Sequence, residues 1–213
     1  MMKSKFSPQK QLRITDNSDV KLLRDQNEIM RRIIPLSFVC VLTETGVDTK
    51  CADAKMIVKI IKKMKLKKLL TPKEYNFVFN KKKTMQEAKD LNWHYERLGV
   101  LLWTLGFDVL IDFNNIISVP ECIRITQNPQ LLAKAKLRSL DELIEYEREA
   151  NEAYWICVDS KINGKKIEDY TKVMINSEVA MERLIAIRWI VGSEKEDWDN
   201  VAPHTYCPYA IKK

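Results

Sequence analysis

The chain has 213 residues, of which 46% are hydrophobic and 31% charged, a balance that excludes a disordered charge-dominated polymer and allows a core without disulfides or structural metal. Its formal charge is +7, and its 5 glycines are too few for turn-rich β-sandwiches or glycine-lined phosphate loops. The five cysteines are dispersed without a C-x-x-C pair and only two histidines accompany them, which fits reduced thiols in a cytoplasmic protein with no metal and no cofactor.

Residues 1–18 are polar and unpatterned, contain no apolar stretch of signal-peptide length, and read as a mobile tail ahead of a single helical domain over 19–213. The longest apolar run, at residues 33–42, is broken by Pro35 and Ser37 and is about half the roughly 20 residues a membrane span needs. Four helix starts are announced by capping boxes, in which a Ser, Thr or Asp stands three residues before a Glu that returns the hydrogen bond. These are Asp25 with Glu28, Thr71 with Glu74, Thr84 with Glu87, and Ser139 with Glu142. With the apolar spacing that follows them they predict an all-α bundle of about six helices, over 25–45, 53–68, 71–80, 84–105, 139–162 and 168–191.

Pro35 should kink or split the first helix. In the fourth, Ala88, Leu91, Tyr95, Leu98, Leu102 and Leu105 recur at spacings of three and four, and Gly106 supplies a stop. Branched, alternating segments between Phe107 and Pro129 suit a long loop or one short β-hairpin around residues 108–126. Asn163-Gly164 reads as the turn of an antiparallel C-terminal helix pair.

Residues 55–83 carry eleven lysines against one acid, Glu74, a net of +10, so the rest of the chain sums to −3. On a helical wheel Ile57, Ile60, Ile61 and Met64 share one face and most lysines the other. Lys55, Lys59, Lys62, Lys63 and Lys67 form the candidate basic patch, suited to an acidic protein partner. Nucleic acid is the poorer reading: the segment has no arginine fork for phosphate, its aromatics Tyr75, Phe77 and Phe79 fall on the next helix, and no nucleic-acid motif follows.

Two helices share one cadence. Trp93, Glu96, Val100 and Trp103 repeat the spacing of Val179, Glu182, Ala186 and Trp189, which puts each Glu on an otherwise apolar face. A carboxylate entering a core needs a cation, so Glu96 and Glu182 are expected to share an arginine, with Arg183 the first candidate beside Arg97 and Arg188. This network either fixes helix register or floors a cleft in which Glu96 or Glu182 acts as a general acid or base beside Arg183, as in a hydrolase. The aromatic segment from Trp198 is expected to pack back on the bundle, with Asp199 capping or pairing.

Taken in order, Leu-Thr-Pro-x-Glu at residues 70–74, Trp-x-x-Glu at 93–96, Leu-Leu-Trp-x-Leu-Gly at 101–106, Leu-Arg at 137–138, Glu-Arg-x-x-Ala-x-x-Trp at 182–189 and Trp-Asp at 198–199 resemble domain-of-unknown-function family 4272. The resemblance implies a largely helical bacterial protein and assigns no catalytic residue. It extends the candidate cluster to Trp93, Glu96, Trp103, Arg138, Glu182, Arg183, Trp189, Trp198 and Asp199. The chain departs from the family pattern at Ala153, where an arginine is usual, and at His204, where an aspartate is usual. The expected function is a non-enzymatic helical module that binds a protein partner, with an enzyme and a nucleic-acid binder as the alternatives.

Overall fold

The four capping boxes fold as the sequence predicts, and they set the frame of the computed structural model, which describes residues 20–48, 50–80, 82–206 and 208. The proposed tail at residues 1–18 lies outside the described residues, as do Lys81 and Cys207. Each box satisfies two otherwise orphaned amide groups, and losing its capping side chain costs about 1 kcal/mol.

The first strand, β1 (Lys21–Leu22), is followed by α1 (Gln26–Glu44), α2 (Ala52–Lys63), α3 (Pro72–Phe79), α4 (Met85–Asn92), α5 (His94–Thr104), α6 (Val119–Thr126), α7 (Pro129–Leu132), α8 (Leu140–Asn163), α9 (Ser177–Ile190) and β2 (Val191–Gly192). The architecture is mainly helical. The one strand pairing among the described residues is antiparallel, Lys21 opposite Gly192 and Leu22 opposite Val191, and it fastens the entry of α1 to the exit of α9.

Several boundaries depart from the predicted ones for local reasons. α1 runs through Pro35 without splitting, because both flanks of the helix are buried and packing outweighs one missing amide donor. α2 stops at Lys63 because Lys65 takes a left-handed conformation, φ 57°, and turns the chain into a short 3₁₀ turn at Leu66–Leu69. The predicted helix over 84–105 is jointed at Trp93, where hydrogen bonding tightens so that the Glu96 amide donates to the Trp93 carbonyl at 3.0 Å. α9 begins at Ser177 rather than 168, since Asn176 caps it and its own amide is anchored to the Phe113 carbonyl at 2.8 Å.

The short β-pair therefore exists but not where the alternation placed it. Residues 119–126 are helical: Pro120 sits in the first turn, and it is Cys122 and Ile125, three apart, that are buried. α8 and α9 are antiparallel, as the Asn163-Gly164 turn implied, with Lys161 reaching Ser177 at one end and Arg188 reaching Glu147 at the other. Gly164 supplies the left-handed cap at φ 63°.

α1 organises the interior. Its residues Ile29, Ile33, Leu36 and Cys40, spaced four, three and four, enter a main core with α5, α6, α8 and α9. Val39 and Leu42, turned to the other side, enter a smaller core with α2, α3 and α4. A helix buried on two flanks is the inner element of a bundle rather than a surface one. No helix among the described residues is long and apolar enough to cross a membrane.

Candidate functional site

The joint at Trp93 decides which side chains of α5 face inward. From it, His94, Leu98, Leu101 and Leu105 follow at spacings of four, three and four, and all four are buried. Glu96 is buried at 2% exposure, while Arg97, 100° further round the helix, keeps one side toward solvent. α9 repeats this step with Glu182 and Arg183, and Arg183 is wholly buried.

The two helices therefore exchange two ion pairs. Arg183 Nε and Nη2 donate to Glu96 Oε2 at 2.8 and 2.6 Å. Arg97 Nε donates to Glu182 in a short hydrogen bond. No arginine is shared between the two glutamates, which corrects the sequence expectation: each helix presents both a Glu and an Arg, so crosswise pairing satisfies all four groups where sharing would leave one cation over.

Arg183 and Glu96 are saturated. Arg183 Nη1 also donates to the Asp112 carbonyl and Nη2 to the Asn115 carbonyl at 2.9 Å, while Glu96 Oε1 accepts from the Ile117 amide at 2.8 Å. The pair thus replaces the missing secondary structure of residues 112–117 with its own hydrogen bonds. Gly99 lets that loop come close, since a Cβ there would collide with the Ile117 side chain. With every polar atom occupied, the pair is a structural pin joining α5, α9 and the loop.

A second buried pair was not anticipated. Arg32 of α1 donates to both oxygens of Glu74 in α3, with Nη1 to Oε2 at 3.0 Å, and that carboxylate is fully buried. Glu74 at the same time accepts the Thr71 amide at 3.0 Å and closes the capping box. The capping box supplied enough reason for the acid, so nothing in the spacing signalled its second partner.

Trp198 packs back on the bundle as expected, 4% exposed. The Arg32 and Arg97 guanidinium groups stand 4.4 and 5.6 Å from its ring centre, and Trp189 meets it edge-on at 5.1 Å. Asp199 caps α3: its Oδ2 accepts the Lys73 amide at 3.1 Å, and Lys73 Nζ donates to the Asp199 carbonyl at 3.2 Å.

The remaining candidates lie elsewhere. Trp103 is about 15 Å from Trp93 along the helix. Its ring meets that of Tyr146 at a tilt of 40°, centres 4.8 Å apart, with the Arg138 guanidinium 4.5 Å from its own ring centre. Arg138 Nε donates to the Trp103 carbonyl at 2.8 Å, and the Arg138 and Lys136 amides take the Thr104 and Leu105 carbonyls, so this segment caps the end of α5. Gly106, at φ 82°, is required there because a Cβ would lie 2.7 Å from the Lys136 carbonyl oxygen.

Between α3, α4, the start of α5, α9 and the segment after Trp198 lies a cleft of about 550 Å³. Trp93, Arg97, Glu182 and Asp199 line it, whereas Glu96 and Arg183 do not. His94, one of the chain's two histidines, also lines it. The imidazole is 6% exposed, meets Trp198 edge-on at 6.3 Å, and its Nδ1 is buried with no hydrogen-bond partner among the described residues. Burial, reinforced by Arg97, Arg32 and Lys73, holds its pKa well below the ordinary 6.5, so the ring is neutral at pH 7. Its place in the apolar run of α5 was the available signal. Leaving such a nitrogen unpaired costs about 1–3 kcal/mol.

Lys55, Lys59, Lys62, Lys63 and Lys67 are all exposed, with Ala54, Ile57 and Ile61 of α2 buried beneath. Met64, expected on the apolar face, is 49% exposed because the helix has already ended. The aromatics of α3 come back into this surface: Lys67 Nζ lies 5.2 Å from the Tyr75 ring and 5.5 Å from Phe79, which Lys62 also approaches.

Fold and site together define a mainly helical protein whose bundle is pinned by buried arginine–glutamate pairs and clasped by a tryptophan-led segment. The chain belongs to the family described as Domain of unknown function (DUF4272), whose model matches residues 3–201. Comparison with curated proteins found no match, and neither did comparison with solved structures. The residues that carry the family resemblance are accounted for structurally: Glu74, Glu96 and Arg183 as pins, Gly106 and Arg138 as the end of α5, and Trp198 as the clasp. Ala153 is wholly buried within α8, and His204 is exposed, its carbonyl accepting from Arg188.

Proposed function

We propose that this chain is a non-enzymatic interaction module, one folded unit from residue 19 onward, that captures an acidic segment of a partner protein through the lysine-bearing surface of α2, the 3₁₀ turn and α3. Its setting on this reading is the cytoplasm of a bacterial cell, in keeping with the free thiols of Cys40, Cys51, Cys122 and Cys157.

The observation that carries the reading is the mixture on that surface. Among the described residues the patch lysines form no ion pair, and between them lie Met56, Met64, Leu69 and Tyr75, each at least 40% exposed. Charge steers an acidic partner and the apolar side chains give it something to bury. The enzyme alternative loses its main support, because Glu96 has no free oxygen and the cleft reaches only Glu182 of the two acids.

Affinity capture from native cells, with Lys59→Glu, Lys62→Glu and Lys63→Glu combined in one variant, tests the proposal. Capture of a specific acidic protein by the wild-type chain, lost in the variant and weakened by salt, is the expected result. Equal capture by both chains removes the patch from the account. A low-salt gel shift with strong binding to nucleic acid would replace the protein partner with a polyanion.

A further inference from the structure

Residues 193–206 are held to the bundle in the way a bound peptide is held. After β2 the chain runs through exposed residues 193–197 and then along α3, α9 and α8 without entering a helix or strand. Among the described residues no backbone–backbone hydrogen bond ties this segment to the rest of the fold. Side chains take its carbonyls instead. Arg24 donates to that of Glu196, Lys73 to that of Asp199 at 3.2 Å, Arg188 to that of His204, and Asn151 Nδ2 to that of Tyr206 at 3.1 Å. Asn151 Oδ1 also accepts the Tyr206 amide at 3.3 Å, so one side-chain amide engages both backbone groups of a single residue.

Such contacts follow the course of an extended backbone, while a side-chain pocket supplies selectivity. The pocket here belongs to Trp198, the one buried residue among 193–206, with the Arg32 and Arg97 guanidinium groups against its ring. It is incompletely satisfied. Four buried side-chain polar atoms lack a partner among the described residues, and three of them belong to Trp198 itself and to Arg32 and His94, which pack against its ring. An unpaired buried donor weakens the seated state against a released one, in which Trp198 Nε1 returns to water. A strap with a single buried anchor, an exposed hinge and no shared secondary structure belongs to the least firmly held part of a fold.

We propose that the bundle carries a peptide-binding seat for an extended segment with a tryptophan anchor, closed in cis by residues 196–206 and occupied in trans by the same residues of a second copy. The second copy brings the one peptide whose fit to every group of the seat the fold itself displays. Exchange is a low-cost route to a dimer, since the contacts made in trans repeat those made in cis. It also makes the cleft composite, because Asp199 and Val201 on its wall then come from the other copy. None of this uses the lysine surface.

Trp198→Ala removes the anchor of the cis occupant and leaves the groups of the seat in place. A fluorescein-labelled peptide of residues 194–206 is titrated into that chain and into the wild type, with anisotropy reading the bound fraction. Saturable binding to the Trp198→Ala chain is expected, with a midpoint about tenfold or more higher in the wild type, whose tethered strap competes at high effective concentration. The same peptide carrying Trp198→Ala should not saturate. In a chain cut at a protease site inserted between Glu194 and Lys195, seat and strap are both intact, and the peptide should displace the cut strap. That arm does not depend on how the Trp198→Ala chain folds.

For the second copy, the Trp198→Ala chain is mixed with a Lys73→Met, Arg188→Met chain, which keeps its strap and loses two of the carbonyl donors of the seat. Light scattering should show each chain alone as a monomer and the mixture as a heterodimer. The variant combining Lys59→Glu, Lys62→Glu and Lys63→Glu should bind the peptide as the wild type does. The proposal is overturned if the peptide saturates neither the Trp198→Ala chain nor the cut chain, if its own tryptophan is dispensable, or if the mixture stays monomeric.

Discussion

The two ion pairs between α5 and α9 are built from the same residue types at adjacent positions, yet one is sealed and the other borders a cleft. The side chains of Glu96 and Arg183 are 3% and 0% exposed and engage the carbonyls and amide of a loop as well as each other. Among the described residues Arg97 and Glu182, one residue away on each helix, engage each other and one aromatic ring. A helical step of 100° is enough to separate a group that holds the fold from a group that borders a cleft.

The largest effect should come from breaking the sealed pair. Arg183→Met leaves the Glu96 carboxylate buried without its cation and unties residues 112–117, and urea denaturation should show a loss of about 3–5 kcal/mol. Arg32→Met leaves the Glu74 carboxylate in a similar position, but the Thr71 amide still serves it. A loss of about 3 kcal/mol is expected by the same measurement.

The cleft side should respond less, and differently. The folded pKa of His94 is depressed below its unfolded value near 6.5, so the unfolded state takes up the proton first. His94's contribution to stability is then complete above pH 6.5 and falls as pH drops, by up to about 1.4 kcal/mol per pH unit. His94→Phe should remove that slope between pH 6.5 and 5, measured as the difference in denaturation midpoints across the range. Smallest is Arg97→Met, expected to cost about 1–2 kcal/mol, because water in the cleft can hydrate the Glu182 carboxylate that remains. A loss as large as that of Arg183→Met would erase the distinction between the two pairs.

What could be read from the sequence follows the range of the interaction. Capping boxes are contained in four residues, and all four formed. Apolar spacing in α5 and α9 gave the inner faces, and the inward turn of Glu96 and Glu182 followed from the same periodicity. Partner choice did not follow: Arg97 and Arg183 are equally near to Glu182 in a spacing argument, and only the packed crossing of α5 on α9 separates them. Arg32 and Glu74 meet across 42 residues. Trp103 and Trp93 shared a face but not a place, because a helix of that length puts them at opposite ends. Residues 108–126 misled for another reason: the alternation of Ile123 and Ile125 imitates a strand, and the segment before it is held by side chains of α5 and α9 that no local pattern contains.

The central distinction is tested most directly by a double-mutant cycle at the sealed pair, with Glu96→Gln, Arg183→Met and their combination compared by equilibrium urea denaturation. A pin predicts a coupling of about 2 kcal/mol or more, with the double variant less damaged than the sum of the single ones. A coupling below about 0.5 kcal/mol would contradict it, placing the two side chains in independent roles.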